Sequence, residues 1–274
     1  MSIAQQIGII GNSLKVNNLP EASATTYGTG NRFYTLVGTQ DGFKTGHTYK
    51  TVNNDGVYSW ADTKSVQNKL PLVVGYQDAS NPYDITASDL DGVTEIKRST
   101  FYEAKGLRSI ELPSTCTSIG SLAFNSCTAL IAVSMPNVTS VANGAFGTCT
   151  SLTSISMPNV TSIGNTFQYC SALTSVSMPK VASIGQNAFY SCTALTSLTI
   201  PSTCTSIGFS ALQCGSSTNK CTFTFEGTTP PSIQTTTFDK SNLNKIIVPV
   251  GCGNTYKTAT NWTNFASYIE EATE

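Results

Sequence analysis

Short runs of alternating apolar and polar residues recur along the middle of the chain and predict β-strands. In the segment 152–158, Ile155 and Met157 fall on one side of an extended backbone, and the serines beside them fall on the other. A proline ends this strand. A second short strand, residues 160–163, is followed by Gly164, for which we expect a turn conformation that a Cβ atom would oppose. The residues before the next strand are too few for more than one or two helical turns.

This pattern belongs to a unit of about 22 residues that is repeated five times between Phe101 and Cys214. Each copy contains an Ala-Phe pair, then a cysteine, a leucine, the first strand with its proline, and a sequence close to Val-Thr-Ser-Ile-Gly. The cysteines are 22, 21, 22 and 22 residues apart, at Cys127, Cys149, Cys170, Cys192 and Cys214. A unit that can bury its apolar side only against its neighbours predicts a solenoid, mainly β with short helical turns. The phenylalanines at 101, 124, 146, 167 and 189 should stack inside it.

The chain before the repeats has a different pattern, with aromatic-rich strand candidates separated by turn residues. The runs 32–38, 48–52 and 56–60 are rich in β-favouring residues, and Asn53–Gly56 is a strong hairpin signal. We therefore predict a small antiparallel β module at residues 1–71, the solenoid at residues 72–250 and a helical cap at residues 251–274.

Both ends of the predicted solenoid carry residues suited to capping. One side of the first coil has no neighbouring coil and must face water. Charged residues concentrate there: Asp84, Asp89, Asp91, Glu95, Lys97 and Arg98. At the other end, Trp262, Phe265 and Ile269 are at helical spacing and should cover the last coil.

Charge is scarce in this chain. Only 11% of residues are charged, the net charge is −1, and no Asp, Glu, Lys or Arg occurs between Leu112 and Pro179. Nucleic acid is excluded as a partner because the basic patch that supplies most of its affinity is missing. No apolar run is long enough to insert into a membrane, and the first residues do not form a signal peptide, so we expect synthesis without a secretion signal.

The nine cysteines fit a column of buried thiols. The alternative is a disulfide framework, but the first repeat has Ala104 at the cysteine position, where a pairing scheme needs a partner. A metal site is a weaker alternative because there is no Cys-x-x-Cys pair and the only histidine is His47. No cofactor is indicated.

No catalytic arrangement is recognisable, so we predict that the chain is not an enzyme. His47 lies in a predicted hairpin without a candidate nucleophile, and carboxylates are absent from most of the repeats. A polysaccharide-cleaving enzyme would need paired carboxylates in one cleft, and Asp84, Asp89 and Asp91 fit a cap better.

Two groups of surface residues are candidates for recognition. The outward strand positions form columns of small hydroxyls, which are either simply solvated or a binding face: Ser154, Ser156, Ser175 and Ser177. The turns after the phenylalanines carry tyrosines whose apolar rings and polar tips suit contact with sugars or protein: Tyr102, Tyr169 and Tyr190.

The repeats resemble the BspA-like leucine-rich repeats of bacterial and protist surface proteins. The resemblance covers residues 85–270 and is carried by Ala-Phe-x-x-Cys-x-x-Leu-x-x-Ile/Val-x-Met/Ile-Pro and by an ending that includes Ile246–Pro249 and Tyr256–Trp262. It implies a leucine-rich-repeat solenoid and, as one account of function, a bacterial cell-surface adhesin, which would need an export signal or anchor.

The first residues carry a second resemblance, to a small domain of bacteriophage tail, baseplate and fibre proteins. It covers about 45 residues and is carried by Leu19–Pro20, Tyr34–Gly38, Phe43–Lys50 and Tyr58–Trp60. It implies a virion exterior protein that attaches to other virion proteins through residues 1–71, assembles as a homo-oligomer, in fibres most often a trimer, and projects its solenoid toward a host surface protein or glycan. We prefer this account to the adhesin.

Overall fold

The computed structural model describes residues 83–90 and 93–273 and, before them, the backbone of six short strands. The strands are β1 Ile7–Ile10, β2 Ser13–Val16, β3 Thr26–Tyr27, β4 Asn31–Thr35, β5 Thr48–Lys50 and β6 Val57–Ser59. All their described pairings are antiparallel, as predicted: β1 with β2, β2 with β6, β3 with β4 and β4 with β5. The hairpin predicted at Asn53–Gly56 lies outside the described residues; of the strands on either side of it, β6 pairs with β2 and β5 pairs with β4. His47 and Asp91 lie outside the described residues, and so does the side chain of Asp89.

The second part is a succession of parallel strands that forms a solenoid of about eight turns. Its strands are β7 Tyr83–Ile85, β8 Glu95–Ile96, β9 Leu107–Glu111, β10 Ser118–Ile119, β11 Ala132–Ser134, β12 Ser140–Val141, β13 Ser154–Ser156, β14 Ser162–Ile163, β15 Ser175–Ser177, β16 Ser183–Ile184, β17 Ser197–Ile200, β18 Ser206–Ile207, β19 Cys221–Phe225, β20 Leu243–Val248 and β21 Ile269–Glu271. We number the coils 1 to 8 from the strands that begin them: β7, β9, β11, β13, β15, β17, β19 and β20. The second strand of coils 1 to 6 is the even-numbered strand from β8 to β18. The predicted solenoid is confirmed.

The centre of the solenoid is an aromatic column. The five phenylalanines are fully buried. Successive rings stack with centroids 5.1, 5.1, 5.7 and 5.6 Å apart. The ring planes of these pairs are within 11° of parallel. The predicted phenylalanine column is confirmed. A repeat of nearly fixed length is needed because each ring must lie directly above the ring of the previous coil.

A second column consists of cysteines whose thiols have a structural role. Each thiol donates a hydrogen bond to the phenylalanine carbonyl of the preceding coil, with Sγ to O distances of 3.0 to 3.1 Å in four successive coils. All nine cysteines are free, and eight are buried. The prediction of core thiols is therefore confirmed, and the disulfide alternative is not what the structure shows.

The residue before each of these column positions adopts a left-handed backbone. Glu103, Ser126, Thr148, Tyr169 and Ser191 have φ between 57° and 63°. In this conformation each backbone N–H donates to a carbonyl of the next coil, with N to O distances of 2.7 to 3.0 Å. The turn therefore tolerates different side chains while its backbone bonds join one coil to the next.

Gly164 does not have the backbone conformation expected from the sequence. Its φ is not among the positive values, so the expected turn conformation is wrong. A Cβ on Gly164 would lie 1.7 Å from the Asn143 side-chain oxygen, and a Cβ on Gly185, at the same place in the next coil, would lie 2.9 Å from the Gly164 Cα. A side chain at position 185 would therefore meet the backbone of the preceding coil, whereas one at position 164 would have to displace the Asn143 side chain.

Coil 4 is shorter than its neighbours. Three residues separate Ile163 from Phe167, whereas four separate Ile184 from Phe189 in coil 5. Thr166 takes the alanine position before the phenylalanine, and its fully buried hydroxyl has no hydrogen-bond partner. The missing residue explains the single 21-residue cysteine spacing.

The last coil is covered by an α-helix, a 3₁₀ helix and a strand. These are α1 Gly253–Thr258, a 3₁₀ helix at Trp262–Tyr268, and β21, which pairs in parallel with β20. Trp262 and Phe265 are buried as expected, and the Trp262 Nε1–H donates to the Pro231 carbonyl at 2.9 Å. Ile269 is not helical, because it begins β21 and extends the sheet. A second, four-residue 3₁₀ helix lies near the first coil at Ala87–Leu90.

Candidate recognition surface

The first strands of the coils present hydroxyl groups on their outer side. In β13 and β15 the central Ile155 is buried and the central Val176 is half-buried, while the serines on either side are exposed. The parallel register places Ser154 beside Ser175 and Ser156 beside Ser177. The four predicted serines are thus brought together on one face. Alternation along a strand explains this arrangement, since neighbouring side chains point to opposite sides.

The same face continues into coils 2, 3, 6 and 7. Ser109 pairs with Ala132, and Glu111 with Ser134. Further along, Ser197 pairs with Thr222 and Thr199 with Thr224. We call the outward residues of β9, β11, β13, β15, β17 and β19 the hydroxyl face.

Charged pairs lie at both ends of the hydroxyl face. In coil 1, Asp84 accepts hydrogen bonds from Arg108 and from the Ser109 hydroxyl, at 3.0 Å from the Arg108 Nε and 2.6 Å from the Ser109 Oγ. These bonds hold the pKa of the Asp84 carboxyl below its usual range. At the other end, Lys245 pairs with Glu270 at 3.2 Å. Between Leu112 and Asn219 the only charged residue is Lys180.

The second strands form another row of serines, on a side of the solenoid where many hydroxyls hydrogen-bond within the protein. Ser162 pairs with Ser183 and Ser183 with Ser206, and the hydroxyls of Ser162 and Ser183 hydrogen-bond to each other at 2.8 Å. Threonines beside this row donate to backbone carbonyls of the preceding coil, as Thr117 does to Thr94 and Thr205 to Ala182. Many of these hydroxyls are therefore used within the solenoid.

The turns after the phenylalanines place two of the three predicted tyrosines in contact. Tyr169 in coil 4 and Tyr190 in coil 5 have ring centroids 5.7 Å apart at an interplanar angle of 89°. The Tyr169 backbone N–H donates to the Tyr190 carbonyl at 2.8 Å, which fixes the two residues side by side. Tyr169 is 47% exposed and Tyr190 is half-buried.

Tyr102 does not join this pair. It lies in the turn of coil 1, three coils before Tyr169, and is exposed. Burial of its hydroxyl and the neighbouring Glu103 carboxylate raise the pKa of Tyr102. Its surroundings are charged, unlike those of the other two tyrosines.

The buried thiols do not form a reactive centre. Burial raises the pKa of Cys170 to about 12 and that of Cys204 to about 11. A thiol that stays protonated is a poor nucleophile and a poor metal ligand. Within the part of the chain that the structure describes, no group of three or more His, Cys, Asp or Glu side chains could hold a metal ion. Among those same residues, no helix is both long enough and apolar enough to cross a bilayer.

The sequence did not predict the contact between Tyr169 and Tyr190 or the glutamine side chains at the neighbouring turn positions. Gln168 and Gln213 occupy the same turn position as Tyr190 in coils 4 and 6, and the Gln213 side-chain amide donates to the Thr236 carbonyl at 2.9 Å. The repeat alignment contained evidence for this arrangement, because it places Gln168, Tyr190 and Gln213 at the same position of successive coils.

A family model described as the BspA type leucine-rich repeat region matches residues 80–166 and 161–268, with six copies. The match begins at residue 80, so nothing in it supports the phage-like resemblance of the first module. No curated protein sequence matches the chain.

Several solved structures are similar to this chain over part of its length. A leucine-rich repeat protein from Bacteroides ovatus is 26% identical with a TM-score of 0.44, covering 58% of this chain and 47% of its own. One from Eubacterium ventriosum is 30% identical with a TM-score of 0.41, covering 44% of this chain and 34% of its own. A leucine rich cell surface protein from Faecalibacterium prausnitzii is 24% identical with a TM-score of 0.47, covering 77% and 56%. The chain spans about half or less of the first two of these proteins.

Proposed function

Because the chain belongs to the family with a BspA-type leucine-rich repeat region, we propose that it is a non-enzymatic adhesion protein of a bacterial cell surface. In this proposal the solenoid binds a protein or a glycan on another surface. Solenoids of stacked repeats provide extended, rigid binding faces. This proposal replaces the interpretation that the sequence favoured, a protein of the virion exterior. That interpretation has no support beyond the resemblance of the first module.

The observation that carries the proposal is the hydroxyl face. Its strands are fixed by parallel pairing and by the phenylalanine column behind them. Its middle lacks charge, and near its two ends Asp84 is paired with Arg108 and Lys245 with Glu270. Such a face offers hydroxyls without long-range attraction, so contacts must form through close fit rather than electrostatic steering.

The proposed recognition residues lie on two segments of each coil. Ser154, Ser156, Ser175 and Ser177 belong to the hydroxyl face, and Tyr169 and Tyr190 belong to the turns of coils 4 and 5. Tyr102, in a separate turn beside Glu103, is not among them. Buried residues such as Cys170 and Leu173 separate the two segments in coils 4 and 5.

We further propose a division of labour along the chain. Residues 1–71 attach or oligomerise the protein, most simply as a trimer, residues 72–250 form the binding solenoid, and residues 251–274 close it. Sedimentation of the full chain tests the trimer, and a monomer at all concentrations would contradict it.

Location is tested by peptide mass spectrometry after brief protease treatment of intact cells from the source culture, beside density-purified phage particles. Solenoid peptides released from intact cells are the expected result. Enrichment in the particles instead would overturn the surface location and restore the virion account.

Binding is tested with labelled full-length chain on candidate host cells. Ser156→Lys together with Ser177→Lys adds bulk and charge to the hydroxyl face without entering the core, and it should abolish binding. Ser140→Lys, at an exposed position of the second strands, is the matched control. Raising NaCl from about 50 mM to about 500 mM should change wild-type binding little. Equal binding by all variants would exclude the hydroxyl face.

A further inference from the structure

One partly exposed aromatic pair, Tyr169 and Tyr190, lies outside the buried core of the solenoid. Tyr169 has a left-handed backbone with φ of 63°, and serine occupies the same backbone position in two other coils, as Ser126 and Ser191. The turn therefore does not need a tyrosine. The Tyr169 ring is 47% exposed, in contrast to the buried phenylalanine two residues before it.

The arrangement of the two rings leaves aromatic surface open. Tyr169 and Tyr190 meet nearly perpendicularly at 5.7 Å. In a perpendicular pair, the ring that presents its edge keeps both of its faces uncovered by the other ring. An aromatic face carries partial negative charge and attracts polarised C–H groups.

Side chains that can exchange hydrogen bonds with hydroxyls occupy neighbouring positions of the same turns. Gln168 and Gln213 occupy the Tyr190 position in the coils before and after it, and Ser191 follows Tyr190 directly. The Gln213 amide is oriented by its bond to the Thr236 carbonyl. We call Gln168, Tyr169, Tyr190, Ser191 and Gln213 the tyrosine patch.

The patch lies in a part of the solenoid where charged residues are scarce. Between Leu112 and Asn219 the only charged residue is Lys180, whose ammonium group donates to the Asn159 side chain at 2.7 Å. The two tyrosines, their chain neighbours and the residues at the Tyr190 position of coils 4 and 6 are all uncharged. The chemistry selects a neutral ligand with one apolar C–H face and hydroxyls at its rim, which is the description of a pyranose ring.

We propose that the tyrosine patch is a binding site for neutral saccharides, in which a sugar ring packs on a tyrosine face while amide and hydroxyl side chains bind its hydroxyls. The inference rests on the proposed adhesion function and names its ligand class. It assigns no role to Tyr102, which lies three coils away beside Glu103.

The test uses full-length chain on immobilised oligomers of glucose, galactose, mannose and N-acetylglucosamine, with sialylated and sulfated oligosaccharides beside them, followed by calorimetry with any that bind. Tyr169→Ser and Tyr190→Gln copy residues that neighbouring coils carry at the same positions, so the fold is retained. Tyr102→Asn, which copies Asn125 at the corresponding position of coil 2, is the matched control. Equal melting temperatures of all four proteins check the fold.

We expect at least one neutral oligomer to bind, Tyr169→Ser and Tyr190→Gln each to weaken its binding at least about tenfold, and Tyr102→Asn to leave it unchanged. Retained binding in both patch variants would place the saccharide elsewhere and overturn this inference while adhesion stands. Binding to cells without binding to any oligomer, or preference for the charged oligosaccharides, would also overturn it alone. Failure to bind either cells or oligomers would remove the adhesion proposal as well.

Discussion

Truncation of a central ring tests whether the phenylalanine column holds the coils together. Phe146 is fully buried and stacks on both sides, at 5.1 Å from Phe124 and 5.7 Å from Phe167. Phe146→Ala should lower the free energy of unfolding by about 3 to 5 kcal/mol, because it removes a buried ring and leaves a cavity that rigid neighbours cannot fill.

Comparison within the column isolates the stacking contribution. Phe101 is equally buried but, among the described residues, stacks only on Phe124, at 5.1 Å. Each stacked pair contributes about 0.5 to 1.5 kcal/mol beyond its buried area, so Phe101→Ala should cost less than Phe146→Ala by about that amount. Phe146→Leu copies Leu212, the residue that coil 6 carries at this position, and should cost less than either alanine variant.

Urea unfolding followed by circular dichroism measures these differences. The midpoint should fall with an unchanged slope, since a changed slope would mean that a different number of coils unfold together. The reasoning would be refuted by a Phe146→Ala cost below about 1 kcal/mol, which is less than a core truncation can have, or by Phe101→Ala costing more than Phe146→Ala.

Three further predictions follow from individual side chains. In folded protein at about pH 8, a disulfide reagent should react with Cys252 alone, because burial keeps the other eight thiols inaccessible; rapid reaction of Cys149 would contradict this. Thr166→Val, which replaces an unpartnered buried hydroxyl by a methyl group of similar size, should raise the free energy of unfolding by about 1 kcal/mol in urea titrations. A loss of stability would show that the hydroxyl has a partner. The backbone N–H groups of Gly251 and Gly253 hold the pKa of the Glu271 carboxyl below its usual range. Because the folded-state pKa is the lower one, the stability from these bonds is present above the unfolded-state pKa and is lost as the pH falls through the folded-state value. The difference in melting temperature between wild type and Glu271→Gln should therefore narrow from about pH 6 to about pH 3, and a constant difference would exclude this role.

The candidate surface shows where sequence reasoning succeeds and where it stops. The serines of β13 and β15 were placed correctly on one face because strand alternation is a property of each strand alone. Tyr169 and Tyr190 are 21 residues apart, and their contact depends on the coil step and on a left-handed backbone at Tyr169 that no residue pattern announces. The sequence grouped Tyr102 with these two tyrosines because all three follow the repeated phenylalanine. The repeat alignment does not show that Tyr102 lies three coils away along the solenoid.

The sequence by itself determined the solenoid, its phenylalanine and cysteine columns and the direction of each strand side chain, because a fixed repeat length forces equivalent residues to stack. Only the tertiary structure decided the contacts that depend on neighbouring coils. The close backbone approach at Gly185, the unpartnered hydroxyl of Thr166 and the strand that begins at Ile269 are all of this kind. The pairing of β6 with β2, which lies more than forty residues earlier in the chain, has the same cause. A local pattern fixes what a segment can form, whereas its partner is chosen by whichever surface the rest of the chain brings against it.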